Sequence, residues 1–576
     1  MLERIRPEEI KSCSRSQLNV LCDELRRVIY QTVNACGGHL ASNLGAVEST
    51  VAMFYSFDFP KDKVVFDVGH QCYAYKLLSG RYEQFSQLRQ ENGLSGFPKR
   101  SESEYDCYDT GHAGTSVSAA LGFAKARDLL NENHTVIAYI GDGSFNNGLI
   151  YEALNSLKVL KTKILIVLND NGMSISPTVG GMHDVLTNAA NAEKIESVQL
   201  LEQFGLTYLG VKDGNDLDEM IEAFDEAKSL LEGGSVLLHI ATKKGKGYAF
   251  SEENPMDTHG VPPVGTQKQK EYSSVLGEEL CALAEQNEKI TVVSAAMKEA
   301  LGLSEFFERF PSRAFDVGIC EEHASVLCSS MAAGGLKPYY AIYSTFLQRA
   351  YDEIIHDVCS MKLPVTFCID RAGISGADGE THQGVFDLSY LSMIPNLTVV
   401  APKDTDEFRQ FLRFSETFNA PLAIRYPRAG KIIFQSNNLP ISYGKWEYLH
   451  NSKSDATILA VGERCLSIAM KVVDGLHEVG LDASVVNARF VKPLDEELLQ
   501  GLHGLVVTIE DNVKNGGFGS MVTNFVNDEK LPVCVKTFAY ADEFIVQGSI
   551  ARLQAKYGVS CEKIKECILQ YLGSRK

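Results

Sequence analysis

The feature that most constrains this chain is a strand–helix–strand pattern with a polar cluster at the end of each strand. Residues 134–140 (HTVIAYI) form a β-rich apolar run that leads straight into Gly141-Asp142-Gly143. Leu149, Ile150, Ala153, Leu154, Leu157 and Leu160 follow at helical spacing, which puts them on one face of a helix. Residues 164–168 (ILIVL) then read as a second buried strand, ending at Asn169-Asp170-Asn171. Parallel strands joined by a crossover helix bring both carboxyl ends to one edge of a sheet. Asp142 and Asn171 are therefore predicted to meet.

Ligands of open α/β sheets bind beyond that edge. A carboxylate and an amide oxygen suit Mg²⁺, a hard ion that takes oxygen ligands and shares them with phosphates. Gly141, Gly143 and Gly148 allow backbone N–H groups to approach a diphosphate ahead of a helix N-terminus. Taken singly, each cluster reads better as a strand-ending turn than as a ligand site. A nucleotide P-loop is disfavoured, because no Lys-Ser/Thr follows the glycines.

The same alternation of short apolar runs with amphipathic stretches continues through all 576 residues, the pattern of mostly parallel α/β sheets. We expect three doubly wound α/β domains, 1–268, 269–430 and 431–576, with a polar linker at 251–270. Strands are expected near 290–294, 338–342, 365–369 and 397–401, then near 456–461, 483–486 and 505–509. A formal net charge of −19 argues against nucleic acid as a partner, since phosphate backbones are bound through clustered Lys and Arg. No apolar run approaches the roughly 18 residues of a membrane span, and residues 1–17 carry no signal-peptide core. Fourteen cysteines stand singly, without a C-x-x-C pair, which fits thiols in a reducing, cytoplasmic setting.

Four histidines sit in small or polar loops: His39 (CGGHLASN), His70 (DVGHQ), His112 (DTGHAG) and His259 (MDTHG). Each alone reads as a satisfied structural histidine. Zinc is disfavoured by the lack of HExxH or a Cys/His cluster. Neutral imidazoles can bind phosphate and pass protons near neutral pH. Residues 315–319 (FDVGI) read as a short strand before Cys320-Glu321-Glu322. Glu321 is either a solvated helix cap or a buried acid whose raised pKa suits proton exchange.

Long stretches of the chain resemble one family, 1-deoxy-D-xylulose 5-phosphate synthase among the transketolase-like enzymes. The matching motifs are GGHLASNLGAVE, DVGHQCYAYK, GLSGFPKRSESEYD, GDG with NDNGMSIS, FDVGICEEHA, IYSTFLQRAYDEIIHDV, DRAGISGADGETHQGVFDLSYL and IRYPRAG. The resemblance implies thiamine diphosphate and Mg²⁺ as cofactors, a homodimer, and condensation of pyruvate with glyceraldehyde 3-phosphate with loss of CO₂. It casts 1–268 as the diphosphate and metal domain, 269–430 as the pyrimidine-binding domain and 431–576 as a transketolase-like C-terminal domain.

By the same resemblance, Asp142, Asn171 and the Met173 carbonyl hold the metal. His70, Gly111, His112, Ala113, Gly143, Ser144, Tyr248 and Phe346 lie along the cofactor, and Glu321 meets its aminopyrimidine ring. His39, His259, His382 and Lys244 serve proton transfer and acceptor binding, and Tyr343 and Asp378 line the pocket. Arg371 and Arg428 hold the acceptor phosphate through bidentate guanidinium geometry; Arg425 joins them or is a surface or domain-contact residue. Departures from the family pattern fall at Tyr75, Ala113, Phe145, Thr258 and Glu322. They motivate a rival reading, a paralogue with a ketose donor or another aldehyde acceptor. A catalytically silent homologue would have lost Asp142, Asn171 or Glu321, and all three are present.

Overall fold

The computed structural model describes residues 1–190, 195–265, 272–428, 430, 434 and 440–573. Its contacts form two units, Met1–Gln267 with Gly318–Cys320, and Lys268–Val317 with Glu321–Lys576.

The first unit is built on a five-stranded parallel sheet of β1 (Lys63–Phe66), β2 (Val136–Gly141), β3 (Leu165–Asp170), β4 (Leu206–Asp213) and β5 (Ser235–Ala241). The order is β1-β2-β3-β5-β4. Alternation along these strands explains why helices cover both faces. Ile137, Tyr139, Leu165 and Val167 enter one apolar core with the helices Arg15–Cys36, Val47–Ser56 and Leu217–Leu231. Val136, Ala138, Ile140, Ile166 and Leu168 enter another with the helices Ser116–Leu129 and Gly148–Leu160. Each large apolar side chain so buried contributes about 1.5–3 kcal/mol. The expected helix is Gly148–Leu160, burying Ile150, Ala153, Leu154 and Leu157, while Leu149 and Leu160 are only half-buried. The stretch expected as a linker starts inside this unit instead: Ser251 lies in the helix Ala249–Glu253 and Val261 bridges Gly38. Residues 266–270 of that stretch lie outside the described residues.

The second unit carries two sheets. One is seven-stranded, ordered β15-β10-β11-β9-β8-β6-β7. Its strands are β6 (Ile290–Ser294), β7 (Ala314–Asp316), β8 (Lys337–Tyr343), β9 (Thr366–Asp370), β10 (Thr398–Val400), β11 (Leu422–Arg425) and β15 (Phe490–Lys492). The other is five-stranded, ordered β12-β14-β13-β16-β17. It comprises β12 (Glu447–His450), β13 (Ala456–Ala460), β14 (Ser484–Asn487), β16 (Gly504–Val513) and β17 (Val533–Tyr540). Among the described residues, only β15 and β12 run antiparallel to their neighbours. The chain is thus α/β with mostly parallel sheets. β15 lies beyond residue 430 yet pairs with β10, where it covers an edge whose N–H and C=O groups need partners.

One local expectation fails. Residues 315–319 are not one strand, because β7 stops at Asp316. Gly318 turns the chain with φ +72°, a left-handed conformation natural to glycine. Glu321 opens the helix Glu321–Ala333 rather than following a strand.

Candidate active site

In the first unit, β2 and β3 are adjacent, with Gly141 in register with Asn169, so the residues after them leave the sheet at one edge. Asp142 opens a single-turn helix, Asp142–Phe145. The Asn171 backbone N–H donates to Asp142 Oδ1 at 3.4 Å, and Thr178 Oγ1 donates to Oδ2 at 2.5 Å. Asp142 is buried, and burial, followed by the charge of Asp170, pushes its carboxyl up to about 7. Asn171 Oδ1 is buried and meets no donor. Met173 bridges Pro177, and Thr178 N–H donates to the Gly172 carbonyl at 3.0 Å, closing a tight loop over the carboxylate.

A buried acid beside a second carboxylate and an orphaned amide oxygen is costly in protein alone. A hard divalent cation that binds oxygen relieves all three, so the residues present fit Mg²⁺. Of the glycines expected to admit a diphosphate, Gly143 is the constrained one: a Cβ there would lie 2.7 Å from Ser174 Cβ. At Gly148 a Cβ would meet open space. Ser144 is buried in the same turn, its carbonyl accepting from Asn147 N–H at 3.0 Å.

Three imidazoles converge in this unit. Ring centroids of His39 and His70 are 5.7 Å apart, those of His39 and His259 5.4 Å, and those of His70 and His259 5.7 Å. Burial holds His70 and His259 well below the usual histidine range, and the positive charge of Lys244 acts in the same direction. Both are neutral near pH 7. Lys244 is buried, donates to the Ser174 carbonyl and is brought down to about 8 by burial, against the pull of Asp142. The Gly111-His112-Ala113-Gly114 turn is pinned by Asp67, which accepts from Gly114 N–H at 2.8 Å and Ser116 N–H at 3.1 Å. The Tyr248 ring stacks on Tyr30 at 4.0 Å.

The second unit repeats the strand-tip arrangement. β8 and β9 are parallel neighbours, with Tyr343 paired to Asp370. Phe346 stacks on Tyr343 at 5.4 Å and meets the His382 ring edge-on at 5.6 Å. The Arg371 guanidinium lies 4.1 Å from the Tyr343 ring centroid and donates to Asp370 Oδ2 at 2.5 Å. Arg371 also adopts φ +55°, strain of the kind that gathers at functional sites. Asp378 sits on the turn between the Gly376 and Gly379 that precedes His382, where His382 N–H donates to the Gly379 carbonyl at 2.9 Å. Glu321 is buried and accepts from Arg349 Nη1 at 3.2 Å. Burial raises its carboxyl, and the Arg349 charge opposes that rise without cancelling it. Glu321 is a buried acid, not a solvated cap.

Three family models match the chain. One described as "1-deoxy-D-xylulose-5-phosphate synthase" covers residues 2–200 and 188–242, and the transketolase pyrimidine-binding and C-terminal domains match 268–430 and 444–564. A 1-deoxy-D-xylulose-5-phosphate synthase of Clostridium perfringens (strain ATCC 13124) is 43% identical across 99% of this chain and 100% of its own. The chain belongs to the 1-deoxy-D-xylulose-5-phosphate synthase family. Another synthase so named, from Clostridium botulinum (strain Alaska E43), is 44% identical over 98% of both chains. A solved transketolase from Campylobacter jejuni is 20% identical over 97% of this chain and all of its own, with a TM-score of 0.47.

Within this family member, Arg425 is a correction. Its guanidinium is buried, donating to Asp387 Oδ2 at 3.0 Å and to the Asp511 carbonyl at 3.3 Å. A guanidinium committed to an internal ion pair does not hold a substrate phosphate; Arg425 joins the two sheets of the second unit. Arg425→Ala is expected to cost about 3–5 kcal/mol, the usual penalty for stripping one partner from a buried pair, as a lower denaturant midpoint. Arg428, by contrast, is exposed.

The departures from the family pattern divide in two. Tyr75 packs against Phe54, Phe59 and Phe66 in a core, and Phe145 is fully buried in another. These are packing changes. Thr258 bonds Ser251 Oγ at 2.9 Å, and its carbonyl accepts from Ala41 N–H at 2.9 Å, next to the histidine cluster.

Sequence reasoning missed the residues that hold the site in place. Asn43 Nδ2 donates to the carbonyls of His39 at 2.7 Å and His70 at 2.6 Å, while its Oδ1 accepts from Tyr73 N–H at 2.8 Å. Its place four residues after His39 in GGHLASN was an available signal. Asp67, inside the quoted DVGHQCYAYK stretch, was likewise in view. Arg349 lay within the IYSTFLQRAYDEIIHDV stretch and Thr178 just beyond NDNGMSIS, but only the folded chain brings them to Glu321 and Asp142.

Proposed function

We propose that this chain condenses pyruvate with D-glyceraldehyde 3-phosphate, releasing CO₂ and yielding 1-deoxy-D-xylulose 5-phosphate. The observation that carries the proposal is the end-to-end match to synthases of that name at over 40% identity, with Asp142, Asn171 and Glu321 retained. Thiamine diphosphate, when bound, supplies a nucleophilic carbon and an electron sink for breaking and making carbon–carbon bonds.

Asp142, Asn171 and the Met173 carbonyl would hold Mg²⁺ at the diphosphate. Gly143 and Ser144 would offer backbone to it, and His70 with the Gly111–Ala113 turn would flank it. Glu321 would exchange a proton with the aminopyrimidine ring, a task that suits a buried carboxyl of raised pKa. His39, His259 and His382 would donate to substrate oxygens, with Lys244 adding a buried positive charge. Tyr343, Phe346 and Asp378 would line the pocket, and Arg371 and Arg428 would hold the acceptor phosphate. Tyr248 remains a cofactor contact only by family resemblance. The family resemblance also supports a homodimer, which light scattering of the pure protein would test. The scattered cysteines support a cytoplasmic setting, and among the described residues no helix is long and apolar enough to cross a membrane.

Pure protein with thiamine diphosphate, Mg²⁺, pyruvate and glyceraldehyde 3-phosphate is expected to release CO₂ and form the deoxyketose in equal amounts. A panel of ketose donors is expected to give no product; transfer from a ketose with pyruvate inert would establish the paralogue reading instead. Arg428→Ala is expected to raise KM for the phosphorylated acceptor about 10-fold or more, the scale of one charge-assisted contact, with KM for pyruvate unchanged.

A further inference from the structure

Outside the candidate active site, two imidazoles in the second unit aim at one carboxylate. His450 Nε2 lies 2.8 Å from Asp482 Oδ1 and 3.0 Å from Oδ2, and His477 Nε2 lies 3.0 Å from the same Oδ1. The three ligand atoms fall within 4.8 Å of one another. We infer that His450, His477 and Asp482 form a surface site for a borderline divalent cation, Zn²⁺ in the first instance.

The local fold builds this convergence from three separate elements. His450 ends β12, where the pairing with β14 shifts register between Tyr448 and His450; such an irregularity re-aims a side chain. His477 ends the helix Gly462–His477. The chain then turns sharply through Gly480, at φ +72°, whose N–H returns to the His477 carbonyl at 3.0 Å. That turn delivers Asp482 beside the last turn of the helix.

The donor set chooses the ion. Two imidazoles and a carboxylate suit Zn²⁺ and its first-row neighbours, whereas Mg²⁺ prefers an all-oxygen shell. Ligands about 2.0–2.1 Å from a tetrahedral metal stand about 3.3 Å apart, so accepting the ion lengthens the two His–Asp contacts slightly and brings the two imidazole nitrogens, which lie within 4.8 Å of each other, to that spacing. Side-chain exposures of 30%, 49% and 34% for His450, His477 and Asp482 leave room for that movement. They also leave coordination positions to water. Without metal the same groups make two imidazole–carboxylate hydrogen bonds, a pairing worth little at such exposure.

The test uses the full chain with Mg²⁺ and thiamine diphosphate present throughout. Zn²⁺ is titrated against a chromophoric chelator, and Co²⁺ is added as a spectroscopic probe. Wild type is expected to bind one more equivalent of Zn²⁺ than His450→Ala/His477→Ala, and to develop a visible Co²⁺ band that the variant lacks. Asp482→Asn preserves shape and is expected to weaken Zn²⁺ binding at least tenfold, a control should the double variant fold poorly. Turnover is expected to match wild type in all variants. Equal Zn²⁺ stoichiometry in wild type and Asp482→Asn, with unchanged affinity, would overturn the site.

Discussion

Glu321→Gln is expected to lower turnover by about 10²–10⁴-fold, the range attributed to a positioned acid–base group, while thiamine diphosphate affinity stays within a few-fold of wild type. The substitution is close to isosteric. A glutamine carbonyl can still accept from Arg349 Nη1, which the glutamate engages at 3.2 Å, so the helix start at Glu321 is retained. What disappears is the proton. Burial raises the Glu321 carboxyl even against the neighbouring guanidinium, which brings its proton exchange nearer to neutral pH than an exposed glutamate allows. An amide cannot exchange that proton at any accessible pH. Steady-state turnover and calorimetric cofactor titration of one preparation separate the two effects. Loss of turnover and of binding together would make Glu321 a structural residue, and wild-type turnover would remove it from the chemistry.

The strand-tip half of the site was legible because a βαβ unit is a local object. Short continuous apolar runs, a helix face of period 3.6 and the right-handed crossover together oblige Asp142 and Asn171 to share an edge, and they bond across it at 3.4 Å. Periodicity could not see the convergence of His39, His70 and His259, which lie in three loops and meet only through the fold. For the same reason composition could not separate Arg425 from Arg428. The two lie three residues apart in one motif, yet one faces Asp387 inside the protein and the other solvent. The misjudged strand before Glu321 has a local cause: FDVGI is β-rich in composition, but its glycine takes a left-handed turn. Strand propensity is overruled there by one residue's conformation.

Asp142→Asn is expected to reverse the order of stability between the cofactor-free and cofactor-loaded protein. Without metal, wild type buries Asp142 beside Asp170, and burial with that like charge pushes the Asp142 carboxyl up to about 7. Asparagine keeps the shape and carries no charge to bury: its Oδ1 can accept from Asn171 N–H while its Nδ2 donates to Thr178 Oγ1, which now accepts. The metal-free variant should therefore melt at or above the metal-free wild type, since an unpaired buried charge costs more than a hydrogen-bonded amide. With Mg²⁺ and thiamine diphosphate the order inverts. Wild type gains stability in proportion to the logarithm of ligand concentration over Kd. The variant has lost its only anionic ligand among Asp142, Asn171 and Met173. Its metal-dependent cofactor affinity should fall by at least about 100-fold, beyond the 10–100-fold typical of losing an outer-shell partner. Four melting curves, each protein with and without Mg²⁺ and cofactor, decide the matter. If the loaded variant rises as far as loaded wild type, Asp142 does not hold the ion, and the strand-tip cradle is a turn with no metal in it.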